Sequence, residues 1–118
     1  MTLSVEVRRA GETAIVHCLG RIVYRDEAVI LSRRVIDVMK QAQAVVLDLG
    51  GVEVIDSAGL GQLVFLHEAA RSRGKTVKIV GVGAQVRELL ELTKLASVFE
   101  VYPNVTDALE GREVGYVG

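Results

Sequence analysis

Residues 3–8 (LSVEVR) alternate apolar and polar, the period-two pattern of a half-buried strand. After the Gly11-Glu12 turn, residues 13–19 (TAIVHCL) predict its hairpin partner, with Gly20-Arg21 as the strand end. From about 25 to 41, Val29, Ile30, Ile36, Val38, Met39 and the aliphatic stem of Arg33 recur at helical spacing. Residues 44–49 (AVVLDL) form a nearly continuous aliphatic run, the pattern of a central strand covered on both faces. A loop is expected over 50–57. Leu60, Leu63, Val64, His67 and Ala70 then mark the inner face of a helix ending near Ser72. Gly74 follows as its C′ residue, after the basic Arg71 and Arg73 that suit a helix C-terminus. Residues 76–80 (TVKIV) predict a strand, Gly81-Val82-Gly83 a turn, and 84–92 (AQVRELLEL) a helix. A short strand or extended segment at 98–102 (VFEVY), a break at Pro103-Asn104 and a small helix near 106–109 complete the pattern. After the opening hairpin, strands and helices alternate. The fold class is therefore α/β: one domain over residues 1–111, with a flexible tail at 112–118. Its sheet is mixed but mostly parallel, carries an antiparallel N-terminal hairpin, and packs with about four helices.

Composition narrows the functional classes. A chain of 118 residues fits a single domain that needs no staples, since it buries roughly 65% of its unfolded surface. Half the residues are hydrophobic, Trp is absent and aromatics are scarce, so little surface suits base or sugar stacking. The net charge of −1 argues against nucleic-acid binding, and the pairs Arg8-Arg9 and Arg33-Arg34 are too short to alter that. The lone Cys18 lies in an apolar run and reads as a buried core thiol. No signal-peptide pattern and no membrane-length apolar run is present, so the expectation is a cytoplasmic protein without membrane insertion.

Several motifs fail as enzyme or cofactor signatures. Gly81-Val82-Gly83-Ala84-Gln85-Val86 lacks the third glycine of a dinucleotide fingerprint and is better explained as a tight strand-to-helix turn. His67-Glu68 begins like a zinc motif, but Arg71 stands where the second histidine belongs, and neither His67 nor His17 has further candidate ligands nearby. Ser57 lacks the preceding glycine of a nucleophile elbow, because Ile55 stands there. Asp48, Glu53 and Asp56 have no histidine in the same segment. The expectation is no metal, no cofactor and no enzymatic activity.

What remains is Asp56-Ser57-Ala58-Gly59-Leu60-Gly61. Asp56 or Ser57 can cap a helix start by accepting from free N–H groups. The two glycines disfavour a helix by about 0.5–1 kcal/mol each, which suggests close approach to the backbone. A hydroxyl at a helix N-terminus is also a place where a phosphate is well tolerated. On its residues alone, the motif is either a capped helix start or a modification site.

The chain resembles the STAS family (sulfate transporter and anti-sigma factor antagonist domains), in particular bacterial anti-sigma factor antagonists. Four stretches carry the resemblance in order: CLGRI (18–22), AVVLDLGGVEVIDSAGLGQLV (44–64), GKTVKIVGVGAQVRELLELTKL (74–95) and VFEVYPNVTDAL (98–109). The resemblance implies that Ser57 is a phosphorylation site, with Asp56 shaping its surroundings, Gly59 and Gly61 leaving the helix start accessible, and Leu60 completing the motif. It implies an unphosphorylated form that binds an anti-sigma factor, itself a serine kinase, and so releases a sigma factor. Phosphorylation ends the complex and a PP2C-type phosphatase restores it. The expected partner surface comprises the 50–57 loop, the neighbouring 21–26 segment with Arg21, Val23 and Tyr24, and Gln62, Phe65 and Glu68 on the following helix. Phe65 has two readings, an outward interface residue or one packed on the next helix. A weak homodimer is compatible with this scheme. The other reading is a non-switching STAS subunit or scaffold of an ABC lipid transporter or stress-signalling complex. The chain departs from the family pattern at Val23, where an acidic residue is frequent, at Ala58, frequently Ser or Thr, and at Lys94, commonly glycine.

Overall fold

The alternation at the N-terminus is realised in strand β1 (Ser4–Ala10), where Val5 and Val7 turn inward while Ser4, Glu6 and Arg8 face water. The computed structural model describes residues 3–111, so the 112–118 tail lies outside the described residues. β2 (Thr13–Ile22) pairs antiparallel with β1. There follow α1 (Arg25–Met39), β3 (Ala44–Ile55), α2 (Ser57–Ser72), β4 (Thr76–Val80), α3 (Ala84–Leu92), β5 (Glu100–Tyr102) and α4 (Val105–Glu110). The sheet order is β1-β2-β3-β4-β5, and every pairing after the hairpin is parallel.

Period two divides the core between the two sheet faces. Val16, Cys18, Val45, Leu47, Val77 and Ile79 pack against α1, α2 and α3. Ile15, Val46, Val80 and Tyr102 meet the single short helix α4 through Ala108. Fully buried leucines such as Leu47, Leu63 and Leu66 each contribute about 1.5–3 kcal/mol of hydrophobic stabilisation.

The structure corrects three expectations. Gly20-Arg21 does not end β2, which runs on to Ile22; register shifts between His17 and Leu19 and between Gly20 and Arg21 accommodate the glycine inside the strand. The 50–57 loop is not a loop either, because β3 continues to Ile55. Gly51 permits this extension, since a Cβ there would stand 2.7 Å from Leu19 Cδ1 and 3.0 Å from the Cys18 carbonyl oxygen. The α1 stripe is also shifted: Ala28, Leu31, Ser32, Val35 and Met39 face inward, whereas Ile30 is exposed and Val29, Ile36 and Val38 lie at the margins. The polar Ser32 interrupts the apolar pattern and is accommodated because its hydroxyl donates to Gln62 Oε1 across the α1–α2 contact.

Lys94 adopts φ 61, a left-handed conformation that explains why glycine suits this position after α3. Gly81 takes φ 73 and comes close to Gly50, which makes the GVG segment a tight packing turn. No helix of the described residues is long and apolar enough to cross a membrane.

Candidate functional site

The site forms where β2 and β3 end side by side, at the pair Ile22–Ile55. Both strand ends are anchored by fully buried isoleucines. One residue later the chain turns into α2. Asp56 is the N-cap in extended conformation, and Ser57 is the first helical residue, with its side chain exposed. The cap is therefore the aspartate, which leaves the serine hydroxyl free of that task.

Asp56 joins two helix starts. Its Oδ1 accepts from the Gly59 N–H at 2.9 Å, closing the first turn of α2. Its Oδ2 accepts from the Tyr24 N–H, also at 2.9 Å, at the N-cap of α1. The Asp56 N–H donates to the Ile22 carbonyl, so backbone and side chain both tie this turn to the Ile22–Tyr24 segment. Desolvation raises the Asp56 carboxyl pKa, but N–H donors from Tyr24, Gly59 and Ala58 outweigh it and hold the group below the ordinary aspartate value. Asp56 is thus anionic beside Ser57 at neutral pH.

Tyr24 completes the arrangement with φ 64 and ψ 150, a region nearly exclusive to glycine. The side chain held in this way is 73% exposed, so its burial does not repay the strain. Arg21 is exposed on the same segment. Val23 is not: at 7% exposure it belongs to the core, so it lies beneath the expected partner surface rather than on it.

Gly59 and Gly61 have different roles. A Cβ on Gly59 would lie 2.4 Å from the Ile22 carbonyl oxygen, so its smallness serves inward packing and not access. Around Gly61 a Cβ would meet nothing within 4 Å, leaving the helix backbone open beside Ser57. Leu60 is buried and anchors the first turn. Ser57, Gly61, Phe65 and Glu68 follow one another along a single exposed stripe of α2. Phe65 faces outward at 52% exposure and borders a groove with Val29 and Ile36 of α1. Gln62 is half-buried and turned to Ser32, while Glu68 lies 3.9 Å from both His67 and Arg71.

Sequence reasoning missed Gln85. Its Oε1 accepts from the Ile55 N–H at 3.1 Å and its Nε2 donates to the Ile55 carbonyl at 3.2 Å. The glycine-rich turn before it gave no sign of such a role. His67 packs edge-on against Phe99, with ring centroids 5.6 Å apart. His17 pairs with Asp48 across adjacent strands at 2.7 Å, on the sheet face away from α1 and α2. Burial and then the nearby Asp48 push the Cys18 thiol up to about 12, which makes it unreactive. Among the described residues, no cluster of three or more His, Cys, Asp or Glu is placed to hold a metal ion.

Comparison with known proteins agrees with the fold. The model of the STAS domain family matches residues 4–108. An anti-sigma F factor antagonist from Paenibacillus polymyxa is 24% identical over 97% of this chain and 98% of its own length. The crystal structure of an anti-sigma factor antagonist from Mycobacterium paratuberculosis superposes with a TM-score of 0.83 at 26% identity, covering 93% of each chain. The phosphorylated form of the Bacillus cell fate determinant SpoIIAA shares the fold, with a TM-score of 0.70 at 9% identity over 92% of this chain and 98% of that one.

Proposed function

The chain belongs to the STAS domain family, and on that premise we propose that it is an anti-sigma factor antagonist switched by phosphorylation of Ser57. It works as a binding regulator in the cytoplasm. The unphosphorylated form engages an anti-sigma factor that is also a serine kinase, and a PP2C-type phosphatase reverses the modification. The observation that carries this reading is the exposed Ser57 hydroxyl, directly after an aspartate that has already taken the capping role.

The physics of the switch is local. A phosphoserine adds about −1.5 to −2 charge at pH 7. At the first position of α2 the helix dipole offsets this by about 0.3–1 kcal/mol, while the Asp56 carboxylate opposes it. A partner covering Ser57 would have to desolvate the dianion next to that carboxylate, at a cost of several kcal/mol. Tyr24, Arg21, Gly61, Phe65 and Glu68 form the surrounding contact surface, with the aromatic pair as its anchors.

The test is phosphorylation of purified wild type and Ser57→Ala by an anti-sigma factor kinase from the same organism, read by intact mass and peptide mapping. One phosphate on wild type, located at Ser57, and none on Ser57→Ala is expected. A second acceptor site of equal rate, or no phosphate on wild type, contradicts the assignment.

A further inference from the structure

β3 pairs with β4 only as far as Asp48–Val80, yet it continues to Ile55 with β2 as its sole strand neighbour among the described residues. Its outer edge over the last residues therefore has no strand to satisfy the backbone. At Ile55, whose side chain is 1% exposed, both outward backbone groups are taken by one side chain from α3. The Gln85 carboxamide accepts from the N–H and donates to the carbonyl, reproducing the paired bonds that a parallel strand would supply. The next residue is the Asp56 cap and the one after it is Ser57.

We propose that Gln85 is a positioning residue for Ser57: its carboxamide clamps the end of β3 and so fixes the turn that presents the hydroxyl to a kinase. The role rests on the reading of Ser57 as phosphoacceptor; the clamp itself does not. At neutral pH only an uncharged carboxamide of this length satisfies both groups. An alanine leaves both unpaired. A glutamate can accept from the N–H, but when ionised it sets an oxygen against the Ile55 carbonyl, and protonation restores the missing donor.

Native-state amide protection tests the clamp, measured in wild type, Gln85→Ala and Gln85→Glu, with Val46 and Ile79 reporting global stability. Gln85→Ala should lower protection at Ile55 about tenfold while the two core positions stay within twofold. Gln85→Glu should show the same loss at pH 7 and regain protection near pH 4. In parallel, a serine kinase of the anti-sigma type that modifies wild type should phosphorylate Gln85→Ala at least fivefold more slowly, through kcat rather than KM. Unchanged Ile55 protection, or an equal loss at Val46 and Ile79, overturns the clamp. Lost protection with an unchanged phosphorylation rate overturns the positioning role. If wild type accepts no phosphate, the Ser57 reading fails and the role with it, while Ile55 protection still decides the clamp.

Discussion

A methyl group on Gly59 would stand 2.4 Å from the Ile22 carbonyl oxygen and 2.7 Å from Ile55 Cγ1, whereas on Gly61 it would meet nothing within 4 Å. The two positions should therefore respond to the same substitution with opposite signs. Gly59→Ala forces backbone apart and is expected to destabilise by about 1–3 kcal/mol. Gly61→Ala gains helix propensity without a clash and is expected to stabilise by about 0.5–1 kcal/mol. Urea midpoints of both variants check this. Tyr24 gives a second residue-scale prediction. Its positive φ costs of order 1–3 kcal/mol, and its side chain is largely exposed. Tyr24→Gly should raise stability by about 1 kcal/mol while weakening anti-sigma factor binding at least tenfold, as measured by thermal unfolding and calorimetry. A variant both more stable and equally tight would show that the strain serves no contact. The sequence announced the hydroxyl, the aspartate and the glycines, but not their division of labour. The Gly59 contact depends on where Ile22 ends, thirty-seven positions away by sequence number.

At the scale of elements, the strands and helices were legible wherever one face is apolar and the other polar. β1 and α3 followed from their periodicity, and the first half of β3 from its continuous aliphatic run. Legibility failed where a local signal had a tertiary cause. Gly50-Gly51 and Gly20-Arg21 look like strand ends, yet they lie within strands, because Gly51 allows β2 and β3 to approach closely through a register shift. The inner face of α1 was misplaced because Ser32 sits in its buried stripe, and only the contact with Gln62 accommodates it. Gln85 was invisible for the same reason, since its partner is a backbone group of another element. The Asp56 carboxylate likewise couples α1 to α2, and this coupling is pH-dependent. Its folded pKa is depressed, so its contribution is complete above the unfolded value of about 3.9 and is lost as pH falls through the lower folded value. Asp56→Ala should cost about 1–2 kcal/mol at pH 7, a difference expected to shrink as pH drops below about 4. Denaturant titrations at pH 7 and pH 3 measure it. A constant difference would mean that the charged acceptor contributes no more than the neutral one.

Across the whole molecule, the proposed functional surface lies at the carboxyl ends of parallel strands β2 and β3, where an α/β fold gathers the starts of its next helices. The sheet and its buried aliphatic layers act as a rigid mount. The local energies at Ser57 are near 1 kcal/mol, against about 5–15 kcal/mol for a typical domain. Phosphorylation should therefore leave the fold intact, with backbone chemical-shift changes confined to the neighbourhood of residues 21–24 and 55–62 and to Gln85. Shifts spread evenly through β4, β5 and α4 would instead indicate a refolding switch. The most direct measurement is calorimetric titration of one anti-sigma factor kinase with the unphosphorylated protein and with the stoichiometrically Ser57-phosphorylated protein. A loss of affinity of about 100-fold or more, equal to about 2.7 kcal/mol, with unchanged far-UV circular dichroism, is the predicted result. Equal affinity of the two forms would contradict the account.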